Sequence, residues 1–79
     1  MDINLAKLDK VVGVKQSHKA IAEGRAKQVL VACDADPSVT APILSLCRET
    51  NVKCEVSDTM KALGKACGIE VGASVVTLL

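Results

Sequence analysis

The sequence contains no Phe, Tyr or Trp among its 79 residues. Aliphatic side chains must therefore build the whole hydrophobic core, which is modest in a chain of this length. Without aromatic rings the chain also lacks the stacking platforms on which most sheet- and barrel-type binders of single-stranded nucleic acid depend. The length predicts one domain over residues 1–79.

Recognisable catalytic motifs are absent as well. The sequence has no phosphate-binding Walker loop and no Gly-x-Gly-x-x-Gly after its first strand-like segment. Its single histidine, His18, forms no evident nucleophile set with Ser, Cys or Asp. These absences make an enzyme the least favoured class, and they predict no cofactor.

The four cysteines, Cys33, Cys47, Cys54 and Cys67, include no Cys-x-x-Cys pair. A zinc site requires close pairs or neighbouring histidines. Because the four lie in apolar segments, we expect buried free thiols, no bound metal and a reducing, cytoplasmic compartment. The sequence shows no signal-peptide pattern. It also contains no apolar run of the roughly 18–20 residues that a membrane-spanning helix needs.

The net charge of +1 identifies no partner, but the charges are unevenly distributed. Residues 1–27 contain six Lys or Arg and three Asp or Glu, whereas residues 28–79 contain four and six. The basic N-terminal third is either a phosphate-facing patch or an ordinary solvated surface.

Helix-like and strand-like patterns alternate along the chain. Apolar runs predict strands over 11–14, 28–33, 53–56 and 74–79. Helical spacing predicts a short first helix that contains Leu5, Leu8 and Val12 and leads into the first strand. The alternation predicts an α/β fold with helices on both faces of a small sheet.

Capping residues predict where the second and third helices begin and end. Ser17 is a candidate cap for a helix that Gly24 ends. Asp36, followed by proline, predicts the start of the third helix, and Asn51 is a suitable stop. Pro42 requires either an irregular first turn or a regular helix that begins near residue 40.

The last helix leads into the most unusual segment of the chain, residues 63–73. One of the polar residues 57–59 caps this helix, whose apolar stripe is Met60, Leu63 and Cys67. Gly68 then occupies the position of a left-handed helix cap. The apolar loop after it, Ile69–Ala73, is either an exposed contact surface or a connection whose side chains fold inward.

Two further groups of residues could bind a ligand. Lys15, Gln16 and Lys19 follow a strand and open a helix, where free N–H groups and the helix dipole favour anions or base edges. An ordinary surface helix explains their spacing equally well. Asp34 and Asp36 could form a metal site or an acid–base pair, but turn formation and helix capping explain them more simply.

Three ordered blocks of residues, 13–20, 29–37 and 63–73, carry a resemblance to a known family. The chain resembles the kink-turn RNA-binding ribosomal protein L7Ae family, and among its members the small bacterial proteins of the YbxF type. The resemblance implies a three-layer α/β/α sandwich with a four-stranded mixed central sheet. It also implies a non-enzymatic protein that binds a kink-turn, an RNA helix bent sharply beside tandem sheared G·A pairs.

The resemblance assigns roles by position. Lys15, Gln16 and Lys19 fall on the segment that reads the RNA groove, and Gly13 gives the backbone room to approach. Asp36 falls on an acidic position that contacts an extruded nucleotide. The loop that packs over extruded bases corresponds to Ile69, Glu70, Val71, Gly72 and Ala73.

Two positions depart from the family pattern. Archaeal and eukaryotic members usually have Asn-Glu where this chain has Lys15-Gln16. Gln16 can still accept a hydrogen bond, without the charge assistance that strengthens one roughly twofold. Met60 replaces a frequent Lys and removes one possible phosphate contact. We expect kink-turn binding to survive, with ribosomal RNA, a riboswitch or another RNA as target and a monomeric free protein.

Two other hypotheses remain open from the sequence. The modest charge and the replaced Asn-Glu pair also suit a protein-interaction or scaffolding subunit of the same fold. A small enzyme would use Asp34, Asp36 or His18.

Overall fold

The structure, a computed structural model, describes residues 9–79. Its elements are, in chain order, β1 (Lys10–Val12), α1 (Val14–Ala22), β2 (Gln28–Val31), α2 (Pro37–Thr50), β3 (Lys53–Val56), α3 (Met60–Ala66) and β4 (Val75–Leu78). The strands predicted over 28–33, 53–56 and 74–79 are therefore present, with shorter bounds for the first and last. The part of the expected first helix that contains Leu5 and Leu8 lies outside the described residues. Val12, which that helix was also expected to contain, lies in β1.

The four strands form one mixed sheet in the order β1-β4-β2-β3. β4 runs antiparallel to both of its neighbours, and β2 runs parallel to β3. Consequently β1, β2 and β3 all end at the edge where β4 begins, and α1, α2 and α3 all start from that edge. We call this end of the molecule the carboxyl edge; it comprises Gly13, residues 32–36, residues 57–59 and residues 69–74.

The alternating side chains of the sheet divide the core into two layers. On one face, strand residues pack against α1 and α2; this cluster contains Val29, Val31, Val75, Ile21, Ile43 and Cys47. On the other face, strand residues pack against α3 and the segment after it; this cluster contains Leu30, Ala32, Val76, Leu78, Leu63, Cys67 and Ala73. The predicted three-layer α/β/α sandwich with a four-stranded mixed sheet is confirmed.

Both predicted boundaries of α2 and the predicted start of α3 are confirmed. The Asp36 carboxylate accepts a hydrogen bond from the backbone N–H of Ser38 at 2.9 Å and caps α2. Asn51 ends α2 in the left-handed conformation, with φ 60°. Thr59 caps α3 by accepting from the N–H of Ala62 at 3.2 Å. Pro42 neither delays nor interrupts α2, and it lies on the exposed side of the helix, where water can reach the carbonyl that it leaves without an N–H donor.

The prediction for the start of α1 was wrong. The helix already begins at Val14, which the apolar run had placed in the first strand, and Gly13 occupies the N-cap position. Ser17 lies inside the helix and is fully buried, and its N–H donates to the Gly13 carbonyl at 3.0 Å, so it cannot cap. Gly24, with φ 75°, follows the helix end as predicted.

The prediction of four buried thiols was wrong for one cysteine and partly right for another. Cys47 and Cys67 are buried, and Cys54 is half-buried against the α2 side of the core. Cys33 is exposed, because β2 ends two residues earlier and Cys33 lies in the turn after it.

The half-buried Cys54 predicts a loss of stability at alkaline pH. Burial, with a further contribution from neighbouring Cys47, raises the pKa of the Cys54 thiol from its ordinary 9.0 to about 11. Between these values the unfolded chain loses a proton that the folded chain keeps, so the free energy of unfolding falls. Measured by chemical denaturation, the free energy of unfolding should fall more between pH 8 and pH 10.5 for the wild type than for Cys54→Ala. Parallel pH profiles for the two proteins would contradict this assignment.

Two buried hydroxyls, those of Ser17 and Thr77, have no hydrogen-bond partner among the described residues. A buried unpaired polar group costs stability, whereas a methyl of the same shape does not. Thr77→Val should therefore raise the free energy of unfolding, by up to about 1 kcal/mol. Thr50→Val, which removes an exposed hydroxyl that donates to the Leu46 carbonyl at 2.7 Å, is the control and should give no gain. Destabilisation by Thr77→Val would show that its hydroxyl is satisfied.

Candidate nucleic-acid interface

The carboxyl edge brings together the three blocks that the sequence singled out. The register of β4 places the residues that precede it beside the ends of β1 and β2. The N–H of Gly13 donates to the Val75 carbonyl at 2.8 Å, and the N–H of Ala32 donates to the Ser74 carbonyl at 2.9 Å. The start of α1, residues 32–36 and residues 69–74 are therefore neighbours at one end of the sheet.

The start of α1 is open to a ligand. Gly13 adopts φ 108°, a conformation that favours glycine, and a Cβ built on it would meet no atom within 4 Å. No side chain caps this helix, so its first N–H groups and its positive dipole end have no acidic partner. Lys15 and Gln16 are exposed in its first turn, and Lys19 is exposed in its last turn. This segment is suited to acceptors such as phosphate oxygens and base edges.

The basic N-terminal third does not form one continuous patch. Lys15 lies in the first turn of α1, at the carboxyl edge, and Lys19 lies in its last turn. Lys27 donates its N–H to the Leu78 carbonyl at the opposite end of the sheet. Arg25 lies near that opposite end and pairs with Glu23 at 3.0 Å. Only part of the predicted basic patch therefore lies beside the candidate site.

Both aspartates stabilise the backbone at the carboxyl edge. The Asp34 carboxylate accepts from the N–H of Met60 at 2.7 Å and joins the turn after β2 to the start of α3. One Asp36 oxygen accepts from both the N–H and the hydroxyl of Ser38 at 2.9 Å, and these bonds lower the pKa of Asp36. This arrangement supports the turn and capping interpretation. Within residues 9–79, no group of three His, Cys, Asp or Glu side chains could hold a metal ion.

Residues 69–73 combine the two alternatives that the sequence left open. Ile69 is half-buried and Ala73 is buried, and both pack against the core beside α3. Glu70 and Gly72 are exposed, and Val71 is 71% exposed although it is a large apolar residue. The loop is therefore anchored at its ends and presents an apolar side chain at its middle. Gly68, with φ 81°, has the predicted left-handed conformation.

Gly64 is the residue beside the loop whose importance the sequence interpretation missed. It lies in α3, and a Cβ built on it would overlap the Val71 carbonyl oxygen. Gly72 is close to α3 as well, since its Cβ would lie 3.2 Å from the Met60 Cβ. The available signal was a glycine inside a helical pattern, which costs stability relative to alanine unless close packing requires it.

His18 is exposed in the middle of α1. Across residues 9–79, no helix has the length and apolar character needed to cross a membrane.

Two solved structures are similar to this fold. The Giardia lamblia 15.5kD RNA binding protein superposes with a TM-score of 0.85 at 26% identity, over 95% of this chain and 68% of that chain. A protein of unknown function from Bacillus halodurans superposes with a TM-score of 0.82 at 23% identity, over 87% and 69%. The second likeness shows the fold alone.

The sequence comparisons agree with the fold. An RNA-binding protein of Bacillus pumilus is 48% identical over 69 residues, which cover 87% of this chain and 84% of the relative. RNA-binding protein YbxF of Geobacillus stearothermophilus is 45% identical over the same shares. Residues 4–79 match the model of one family. Because this match spans nearly the whole chain, the protein belongs to the ribosomal protein L7Ae/L30e/S12e/Gadd45 family.

Proposed function

We propose that this protein is a non-enzymatic RNA-binding module that recognises a kink-turn. One observation carries the proposal: α1, which exposes Lys15, Gln16 and Lys19, has its uncapped start at the same edge as an anchored loop with Val71 exposed. The names of the relatives as RNA-binding proteins support the same class of partner. We further propose that the protein acts in the cytoplasm and is monomeric when free.

Helix α1 supplies the polar contacts. A regular RNA helix has a major groove too deep and narrow for side chains, but a sharp bend at an internal loop opens it. The Gln16 amide can then both donate hydrogen bonds to a base edge and accept them from it, and the Lys19 amine can donate to guanine acceptors or to phosphate. Gly13 lets the backbone approach, since the space where a side chain would stand is empty.

The loop supplies an apolar contact of the kind that aromatic rings supply elsewhere. Val71 and the neighbouring backbone can cover a base that the bend has removed from the stack. Asp36 is exposed and ionised, and its bonds to Ser38 use one carboxylate oxygen. Its second oxygen can accept from an N–H or 2′-hydroxyl of the extruded nucleotide.

A titration against matched RNAs tests the proposal. One RNA contains a kink-turn, and the other has its G·A pairs replaced by Watson–Crick pairs at the same length. At equal salt, which must be stated because phosphate contacts depend on it, we expect at least about tenfold preference for the kink-turn. Equal affinity would reject the proposal. Retention of a protein partner after nuclease treatment, with no selective RNA binding, would favour the scaffolding alternative.

A further inference from the structure

The backbone of the apolar loop lies directly on α3. The space that a side chain on Gly64 would need is occupied by the Val71 carbonyl, and Gly72 Cα lies 3.1 Å from the same point. Gly64 is buried, and it is a regular helical residue without positive φ. Its lack of a Cβ is therefore required by the loop and not by the helix.

Hydrogen bonds from both ends of the loop fix the same path. The N–H of Ile69 donates to the Gly64 carbonyl at 3.1 Å, and the N–H of Ala73 donates to the Met60 carbonyl at 3.0 Å. The Asp34 carboxylate holds the N–H of Met60 at 2.7 Å, so the start of α3 is itself tied to the turn after β2. Between these bonds Val71 protrudes into solvent, and its direction follows from the position of its own carbonyl on Gly64.

We propose that Gly64 is a positioning residue that sets where Val71 stands against an extruded base. This inference rests on the proposed function. The close contact lets the protein use an aliphatic side chain on a fixed backbone as a base-covering surface. If the loop were displaced, Val71 would still be an exposed apolar side chain, but it would no longer lie against the base.

Gly64→Ala tests the inference, because alanine is the better helix former and the substitution can act only through the added methyl group. The probes are a kink-turn RNA and the same RNA with its extruded base removed, leaving an abasic site. We expect the wild type to prefer the intact RNA by about fivefold, as burial of a small apolar surface predicts. Gly64→Ala should reduce this preference to about one, and amide NMR signals of residues 69–74 should shift.

Two further variants sharpen the result. A Cβ on residue 72 would lie 3.2–3.3 Å from atoms of Met60, so Gly72→Ala crowds its neighbour less severely and should lose only part of the preference. Gly72→Ala replaces Gly64→Ala in the test if Gly64→Ala does not fold. Ala66→Ser, on the exposed side of the same helix, should behave as the wild type.

Failure of the proposed function and failure of the role of Gly64 give different results. If the wild type does not prefer a kink-turn over the RNA without G·A pairs, the proposed function fails. The role of Gly64 is refuted if the wild type prefers the kink-turn but the folded Gly64→Ala variant keeps the full preference for the RNA with the intact base. Where Gly64→Ala does not fold, the same result for Gly72→Ala refutes it. Loss of the base preference with continued discrimination against the RNA without G·A pairs supports the role, because general destabilisation would reduce both.

Discussion

Lys19→Ala is expected to weaken binding to a kink-turn RNA about tenfold. Lys19 is exposed in the last turn of α1, five residues after the helix begins, and no described acidic side chain pairs with it. Loss of one good contact to a base edge corresponds to about 1–3 kcal/mol, and 1.4 kcal/mol is a factor of ten. If the amine contacts phosphate instead, the loss is similar for all RNA sequences and the salt dependence decreases by about one charge. Calorimetric titration at two salt concentrations separates these two outcomes.

Lys27→Ala is the matched control for Lys19→Ala. It removes the same charge from an exposed position at the opposite end of the sheet. We expect less than about a twofold change, since exposed charges more than a Debye length of about 10 Å apart are largely screened. Equal losses for the two variants would mean that binding depends on net charge and not on the carboxyl edge.

Leu63→Ala is expected to lower the free energy of unfolding by about 2–5 kcal/mol, the usual range for a buried leucine. Leu63 is 2% exposed and joins α3 to the sheet within the core cluster on that face. No aromatic ring is available to fill the cavity. A domain of this length is stable by only about 4–12 kcal/mol in total. The loss should therefore be visible as a large decrease in the midpoint of urea denaturation.

Leu44→Ala provides the comparison, because it removes the same atoms from a residue that is 38% exposed on α2. We expect its cost to be clearly smaller than that of Leu63→Ala. Similar costs at the two positions would show that α3 contributes little to the core.

Local chemistry explains why several elements could be predicted from the sequence. Asp36 followed by Pro37 begins α2 as expected, because an N-cap carboxylate and a residue without N–H both suit a first turn. The apolar run of β2 is buried on both faces of the sheet, so its pattern was unambiguous.

The start of α1 depended on a contact that the sequence does not reveal. Ser17 has the chemistry of a cap, but the hydrogen bond from Gly13 to Val75 fixes the strand end earlier and carries Ser17 into the core. Tertiary structure thus overrode a local preference. Cys33 was misplaced for a related reason, because the apolar run continues beyond the last residue that pairs in the sheet.

The grouping of the candidate site required the sheet order. Lys15 and Val71 are far apart in sequence, and only the antiparallel placement of β4 between β1 and β2 brings their segments to one edge. The resemblance supplied this grouping, whereas residue spacing could not. The contact between Gly64 and the Val71 carbonyl depends on backbone positions that the sequence does not reveal. Its only trace in the sequence is a glycine inside a helical pattern.

Amide NMR spectra recorded while a kink-turn RNA is added would test the central claim most directly. If the carboxyl edge binds the RNA, the signals of residues 13–19, 34–36 and 69–73 should change together and saturate at one equivalent. The signals of residues 24–27 and 51–53, at the other end of the sheet, should stay near their free positions. Changes centred on those distant residues, with the carboxyl edge unaffected, would contradict the account.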